Sequence, residues 1–453
     1  MKKILFYISV LIIVISGCKK SSYVPAFDKT PQERAGEQIA LVSTTLTSAP
    51  NGWIATLPTQ AGGGYSFYMT FDNNQNVVMY SDMTNTSAAT GAKSYYRIKQ
   101  DLGTDLVFDS YNYISMLDDP NSDVLGGASK VGYSSDIDFI YDRSSADSII
   151  FIGKKYRQPF KLVKATAAQK AIYEAGGFKT AIDRVQNFIT TNKFPYLEIP
   201  SGSSVLKAGI AFNTTNNLTS GKRITLTGVL ADGVTATSGV GKFSFSLDGG
   251  DILNAGLTYG GISFVKFSWK DATTLAFYDS TGKEYIVKNS PSPVTPLFIL
   301  LGSAYTVVSL PNAATYQGWG ADYVARRAAS DAAFFAAYKI HVENMVYTFN
   351  ESFKKLTLTV NIPQTNTTTG AITQYVGTLN YTYTKTSNGV YKFTYVDYGT
   401  NGDLVNTYCA PLLAQRLNVD TFTVDYMINS TTGALMAIFT SVQNPAFSFT
   451  GNL

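Results

Sequence analysis

Tyr65-Ser66-Phe67-Tyr68-Met69-Thr70-Phe71-Asp72-Asn73-Asn74-Gln75-Asn76-Val77-Val78-Met79-Tyr80-Ser81 reads as two strands joined by a polar turn. Aromatic and β-branched residues run on both sides of five residues that favour turns. The same pattern continues outward. Residues 95–99, 106–110, 137–141 and 148–154 read as further strands of a meander. From 196 to 288 the chain is again mostly strand, with clear alternation in Ile224-Thr225-Leu226-Thr227-Gly228-Val229 and in Lys242-Phe243-Ser244-Phe245-Ser246-Leu247. Strands resume at 345–348, 355–361, 377–384, 390–396, 421–428 and 434–440. Phe447 and Phe449 alternate with Ser448 and Thr450, which marks the last segment, 446–451, as an integral strand.

Helices interrupt this pattern. Thr30-Pro31-Gln32-Glu33 carries a cap, a first-turn proline and a capping box. Ala35, Ile39, Val42 and Leu46 then give one apolar face, and Pro50-Asn51-Gly52 ends the helix. A second helix is expected over 166–190, broken by Gly176-Gly177, with Phe178, Ile182, Val185 and Ile189 buried. Others are expected at 322–341 and 410–417. The fold class is therefore β-rich α+β: antiparallel meanders, sandwich- or barrel-like, covered by a few helices. The three prolines in 289–296 divide an N-terminal β-rich region, 28–290, from a C-terminal one, 291–453. Phe71-Asp72 to Tyr80 and onward through a Thr-Gly-Ala loop at 90–92 resembles Phe349-Asn350 to Val360 with Thr-Gly-Ala at 369–371, an internal repeat of strand, turn, strand, loop, strand.

The N-terminus specifies a destination. Lys2 and Lys3 precede an apolar run from Ile4 to Ile15, and Ile15-Ser16-Gly17-Cys18 follows. A charged start, a short apolar core and small residues before a cut make a signal peptide, residues 1–17. The run is shorter than the roughly 20 residues a spanning helix needs. Ile-Ser-Gly-Cys resembles the lipobox of bacterial lipoproteins, in which the cysteine is lipidated. Cys18 is the expected lipidation site, residues 18–27 the tether, and lipid on Cys18 the link to the outer membrane of a Gram-negative bacterium. Lys19-Lys20-Ser21-Ser22 stands where some surface-exported lipoproteins carry acidic residues, so the periplasmic and cell-surface faces both stay open.

Composition narrows the chemistry. Hydrophobic residues make up 45% of the 453-residue chain and charged residues 15%. Lysine and arginine number 36 against 32 acidic residues, and nothing concentrates them, so nucleic acid is not an expected partner. With Cys18 given to lipid, Cys409 stands alone in an apolar context and reads as a buried, inert thiol. His341 is the one histidine, so a Ser-His-Asp triad would have to use it; it reads as a helix-end side chain. A zinc-protease motif, a P-loop and a dinucleotide fingerprint are all missing, and no cofactor or metal is expected. The acidic loop Asp118-Asp119-Pro120-Asn121-Ser122-Asp123 and the turn at 72–76 hold oxygen ligands that calcium could use, but each reads first as a solvated turn. Trp53, Trp269, Trp319 and the 30 tyrosines could stack on sugars, although aromatics in strands more often pack in cores.

Several landmarks then agree with a known family: Asn51-Gly52-Trp53, Gly63-Gly64-Tyr65, Ser94-Tyr95-Tyr96-Arg97, Leu106-Val107-Phe108-Asp109-Ser110-Tyr111-Asn112, Ile149-Ile150-Phe151-Ile152-Gly153-Lys154, and Phe447-Ser448-Phe449-Thr450-Gly451. The chain resembles the domain-of-unknown-function family numbered 4302. That resemblance implies a lipoprotein encoded near starch-utilisation-type uptake systems. Members commonly carry a histidine after the Tyr-Asn segment, where this chain has Ile114-Ser115-Met116, so no role is carried over to that position. The expected function is a membrane-anchored, non-catalytic accessory lipoprotein of a nutrient-uptake apparatus, binding a glycan, another polymer or a partner protein such as an outer-membrane uptake component. A carboxylate-based glycan hydrolase is the alternative, since it needs only two acidic residues across a cleft. A structural envelope protein is the third reading.

Overall fold

The computed structural model describes residues 29–453. The signal peptide, Cys18 and the tether lie outside the described residues.

The first unit begins with helix α1 (Pro31–Thr47). Thr30 caps it through the Glu33 amide, the Glu33 side chain returns the bond, and Val42 and Leu46 are its buried residues. Eight antiparallel strands follow in meander order: β1 (Trp53–Pro58), β2 (Gly64–Phe71), β3 (Asn76–Ser81), β4 (Ala92–Gln100), β5 (Thr104–Phe108), β6 (Asp138–Ser144), β7 (Ser148–Gly153) and β8 (Pro159–Lys164). β1 also pairs with β8, Trp53 opposite Lys164 and Thr56 opposite Lys161, so the sheet closes into a barrel. Alternation sends Trp53, Phe67, Met69, Phe139, Phe151 and Phe160 into one core. The opening hairpin folds as its sequence demands. Gln75 takes φ +62°, and the Asp72 carboxylate accepts the amides of Asn74 (2.8 Å) and Asn76 (2.9 Å).

β2 departs from simple alternation, because residues 65–69 are buried on both faces. Tyr65, Phe67 and Met69 fill the barrel. On the outer side, Ser66 donates to the Phe245 carbonyl at 2.7 Å, and Tyr68 stacks on Tyr173 with ring centroids 4.6 Å apart. What covers this face is the middle unit and two helices, α2 (Ala167–Glu174) and α3 (Gly177–Thr191). The break expected at Gly176-Gly177 is present: Gly176 sits at φ +74°, a left-handed conformation that glycine adopts without a Cβ penalty.

The middle unit is a second meander: β9 (Pro195–Ser201), β10 (Ser204–Asn213), β11 (Arg223–Val229), β12 (Ala236–Ser246), β13 (Gly249–Ile252), the short β14 (Leu257–Tyr259), β15 (Ile262–Trp269), β16 (Leu275–Asp279), β17 (Glu284–Ile286) and β18 (Lys288–Asn289). β17 pairs with β16 at one end of this sheet, while β18 pairs with β9 at the other. Both edges are thus held by one stretch that bends at Val287, and the sheet rolls almost into a barrel. The aromatic interior fits that curvature: Phe212 of β10 lies 5.4 Å from Phe267 of β15 and 6.1 Å from Phe277 of β16.

The third unit is again a closed eight-stranded barrel: β19 (Val307–Leu310), β20 (Met345–Asn350), β21 (Lys355–Asn361), β24 (Val376–Lys385), β25 (Val390–Tyr398), β26 (Thr421–Ile428), β27 (Leu435–Ser441) and β28 (Ser448–Asn452). A two-stranded hairpin, β22 (Gln364–Thr365) and β23 (Ile372–Thr373), projects between β21 and β24. Phe447 and Phe449 are buried, and Phe439 stacks on Phe449 at 5.0 Å. The two repeat-like segments occupy equivalent places, the second to fourth strands of their barrels.

Two helices differ from the sequence expectation. Helix α4 runs over Ala321–Tyr338, not to 341, because Lys339 turns left-handed at φ 57° and Ile340 bridges to Gln364. His341 therefore sits in extended chain. In place of a helix at 410–417 there is α5 (Gly402–Tyr408), then a single π-type turn, Leu413–Leu417. Pro411 has no amide hydrogen to continue a helix. The expected strands also lacked β1, β8, β19 and the short pair β22 and β23.

Candidate binding clefts

A buried ion pair joins the first barrel to the middle unit. Lys222 Nζ donates to Asp82 Oδ2 at 2.8 Å and to the Asp82 carbonyl at 2.9 Å. The Asp82 carboxylate also accepts the amides of Ser66 (3.0 Å) and Phe245 (2.9 Å). Both side chains are shielded from solvent, and the ammonium lies 4.4 Å from the Phe245 ring centroid. Burial pulls the Lys222 pKa down while Asp82 opposes that pull. Lys242 adds a bond to the Thr59 carbonyl at 2.6 Å, and Asn216 one to Met83 at 2.7 Å.

Beside this joint runs a groove of about 590 Å³, between the outer wall of β1, β7 and β8 and the end of β13. The barrel wall here is apolar on its outside: Ile54, Ile150, Ile152 and Val163 face outward. That explains the unbroken run Ile149-Ile150-Phe151-Ile152, whose two faces serve core and groove. Asp251 lines the groove with Lys161, Gln169 and Asn254. Burial pushes the Asp251 pKa up, with Lys161 and Lys266 opposing. Its carboxylate has no hydrogen-bond partner among the described residues. Asp142 lines the same groove and pairs with Arg143. Among the described residues, no aromatic side chain lines it.

A second cleft, about 490 Å³, opens on the third unit. It is lined from α4 by Arg327 and Asp331, from the extended segment by His341 and Glu343, and from the hairpin by Thr365 and Ile372. His341 Nδ1 lies 3.1 Å from Asp331 Oδ2, and its ring stacks on Phe335 at 4.6 Å. The histidine read as a helix-end side chain is thus a cleft residue oriented by a carboxylate. The signal was weak: only Asp331, ten positions back on a helix, hinted at a partner.

The other residues singled out in the sequence serve the fold. Trp53 and Trp319 are buried, donating to the carbonyls of Leu46 (2.9 Å) and Thr450 (3.0 Å). Trp269 is covered by the Arg184 guanidinium at 3.8 Å and by Phe188. None is a free platform. Asp119 accepts from Tyr111 and from the Asn121 amide, and Asn121 caps the short helix after it. Cys409 is fully buried, and burial pushes its thiol up to about 12.

Fold and clefts together define a β-rich protein of two closed barrels flanking a rolled sheet, with polar clefts set against apolar walls. The family model of a domain of unknown function, DUF4302, matches residues 25–271, more than half of the chain, and the chain belongs to that family. The matched span holds the first barrel, most of the middle unit and the whole of the groove between them. No curated protein matches the chain. Among solved structures, the DNA polymerase III subunit beta sliding clamp of Bartonella birtlesii LL-WM9 is 10% identical, covering 91% of this chain and 97% of that one with a TM-score of 0.10. The pol III beta of Caulobacter crescentus is 10% identical, with 92% and 97% covered and a TM-score of 0.11. Likeness that slight bears on neither fold nor function.

Proposed function

We propose that this protein is a lipoprotein, anchored to the outer membrane through Cys18, that serves a nutrient-uptake apparatus without catalysis and holds a glycan or a similar polymer in the groove beside β13. The observation that carries this reading is the groove's pairing of surfaces. An aliphatic wall, Ile54, Ile150 and Ile152, with Lys161 set among them as the cross-strand neighbour of Ile150, faces Asp251 of β13, and Gln169 lines the same groove. A sugar ring offers the complement, C–H faces and hydroxyl edges, and ligand sites are commonly apolar with a few placed polar groups. The lipobox and the family's neighbourhood support the anchor and the setting.

A glycan array probed with the protein tests this. Binding to a polysaccharide class is expected, and Asp251→Ala and Lys161→Ala should each weaken it about tenfold or more. An array with no signal, or binding that both variants leave untouched, would sink the groove as the site. Glycan hydrolysis is the second reading, favoured by one observation: Asp251 is held protonated to higher pH by burial, as a general acid must be, and Asp142 shares its groove. Release of reducing sugar that Asp251→Asn abolishes would establish hydrolysis over simple binding.

A further inference from the structure

The cleft on the third unit has a chemistry of its own. Helix α4 fixes the segment 341–343 from one side. Arg327 donates to the carbonyls of Val342 and Glu343, and Asp331 accepts the Val342 amide at 2.6 Å. Extended chain sends alternate side chains to opposite faces. Val342 is 5% exposed and belongs to the barrel core, so His341 and Glu343 share the face that borders the cleft.

The hydrogen bonds decide what that face offers. With Nδ1–H given to Asp331, the neutral imidazole keeps Nε2 as an acceptor. Phe335 stacked on the ring holds its plane. The Glu343 carboxylate, the Asn312 carboxamide and the Thr365 hydroxyl have no partner among the described residues. Arg327 Nη2 is engaged by backbone carbonyls while its Nη1 is buried without a hydrogen-bond partner among the described residues, and Asp331 is engaged by His341 and Val342. Arg327 offsets the charge of Asp331, so Glu343 leaves the cleft one net negative charge; His341 Nε2, the Asn312 carbonyl and the Thr365 oxygen are its acceptors, and the Asn312 amide and the Thr365 hydroxyl can also donate. A metal ion does not suit it: among the described residues no three His, Cys, Asp or Glu groups stand close enough to hold one. An ammonium does, since it carries a positive charge, three donors and no acceptor. The volume, about 490 Å³, is in the range for a small ligand.

We propose that the cleft between α4, residues 341–343 and the β22–β23 hairpin binds a small polar ligand through a primary ammonium group, of the amino-sugar class. Glu343 neutralises the charge, and His341 Nε2 and the Asn312 carbonyl accept the remaining hydrogens. Asp331 is a positioning residue that sets the imidazole tautomer.

Calorimetric titration of the full-length lipoprotein in detergent tests this, with glucosamine, N-acetylglucosamine and glucose as probes. Glucosamine should bind saturably. The acetylated sugar, which keeps the ring and loses the charge, and glucose should bind at least about tenfold more weakly. Glu343→Gln and His341→Ala should each weaken glucosamine about tenfold or more, with unchanged melting. Asp331→Asn should weaken it as well, since an amide can hold the other tautomer. The titrations are repeated in the Asp251→Ala background, where sugar held in the groove no longer contributes, so this site and the groove fail or succeed separately. Absence of saturable glucosamine binding, or equal binding of all three probes, overturns the proposal.

Discussion

The joint between the first barrel and the middle unit is built unlike the joint between the middle unit and the second barrel. At the first, strand β2 is buried on both faces, and an ion pair, Lys222–Asp82, is sealed from water with backbone amides on the carboxylate. At the second, one direct hydrogen bond crosses among the described residues, Lys193 Nζ to the Gly433 carbonyl at 3.3 Å. The linker adds Thr295 to the Thr227 carbonyl, and a cavity of about 380 Å³ lies between the two units. A joint that buries charge tolerates little relative motion, because any opening leaves an ion unpaired in an apolar setting. A joint with a cavity and one surface hydrogen bond has no such penalty. The first two units should therefore unfold together, and the C-terminal barrel should behave as a separate cooperative body. The family match, ending at residue 271 inside the middle unit, falls within the tightly joined pair.

The largest expected effect comes from deleting residues 446–453. That removes β28, the closing strand, and two buried rings, Phe447 and Phe449. The rings alone contribute about 3–6 kcal/mol, against a typical total of about 5–15 kcal/mol. The C-terminal barrel should open while the first two units keep their melting transition. Cys409 reports this directly: buried in the intact barrel, it should react with a thiol reagent at neutral pH only in the truncated protein. A truncation that lowers both transitions equally would show that the units are coupled after all.

Lys222→Met acts on the other joint. It leaves the Asp82 carboxylate buried without its cation, which costs about 3–5 kcal/mol. Chemical denaturation should show the loss in the N-terminal transition only, with Cys409 still protected. Combining Lys222→Met with Asp82→Asn should recover part of it, since the stranded charge is gone. If the single variant melts like the parent, the pair is not what holds these units.

Limited proteolysis sharpens the contrast at lower energy. Residues 289 and 291 are exposed, and this stretch carries Pro291, Pro293 and Pro296. Cleavage near 289–291 should give two fragments that each keep a cooperative transition. Degradation of one fragment as soon as the cut is made would mean that it depends on the other.

The smallest effect is a pH dependence at the groove. The folded Asp251 pKa is raised by burial. The folded state then holds its proton to higher pH than the unfolded chain, so stability falls as pH rises through the window between the unfolded carboxylate value, about 3.9, and the raised folded value. The cost is fully present above the raised folded value. Asp251→Asn should raise the melting temperature at pH 7, with the gain shrinking as pH drops through that window. A gain of equal size at every pH would show that the carboxylate is not strained by burial.

Short-range features were legible in the residues themselves. The capping box at Thr30 and Glu33, the hairpin turn at 72–76, the helix break at Gly176 and the alternation of Phe447 and Phe449 all depend on neighbours within a few positions, and each is present. The sites were much less legible. Asp251 follows two glycines and carries no motif, and its character comes from Lys161, Lys266 and an apolar wall made elsewhere in the chain. His341 gains its meaning from Asp331 and Glu343 only because α4 stops at Lys339 and the chain beyond it turns back along the helix.

Sequence by itself determined that this chain makes antiparallel meanders with a few capped helices, because alternation and turn chemistry act locally. Tertiary structure decided that two of the meanders close. Of the strands that escaped the sequence reading, β22 and β23 form a local hairpin, whereas β1, β8 and β19 close the barrels through partners far along the chain: β1 pairs with β8 across the first barrel, and β19 with β28 across the second. Closure satisfies edge hydrogen bonds that no local pattern encodes. Tertiary structure alone also matched Lys222 to Asp82 across 140 positions. A buried charge is tolerated only where its counterion arrives, and that arrival is a property of the packed units.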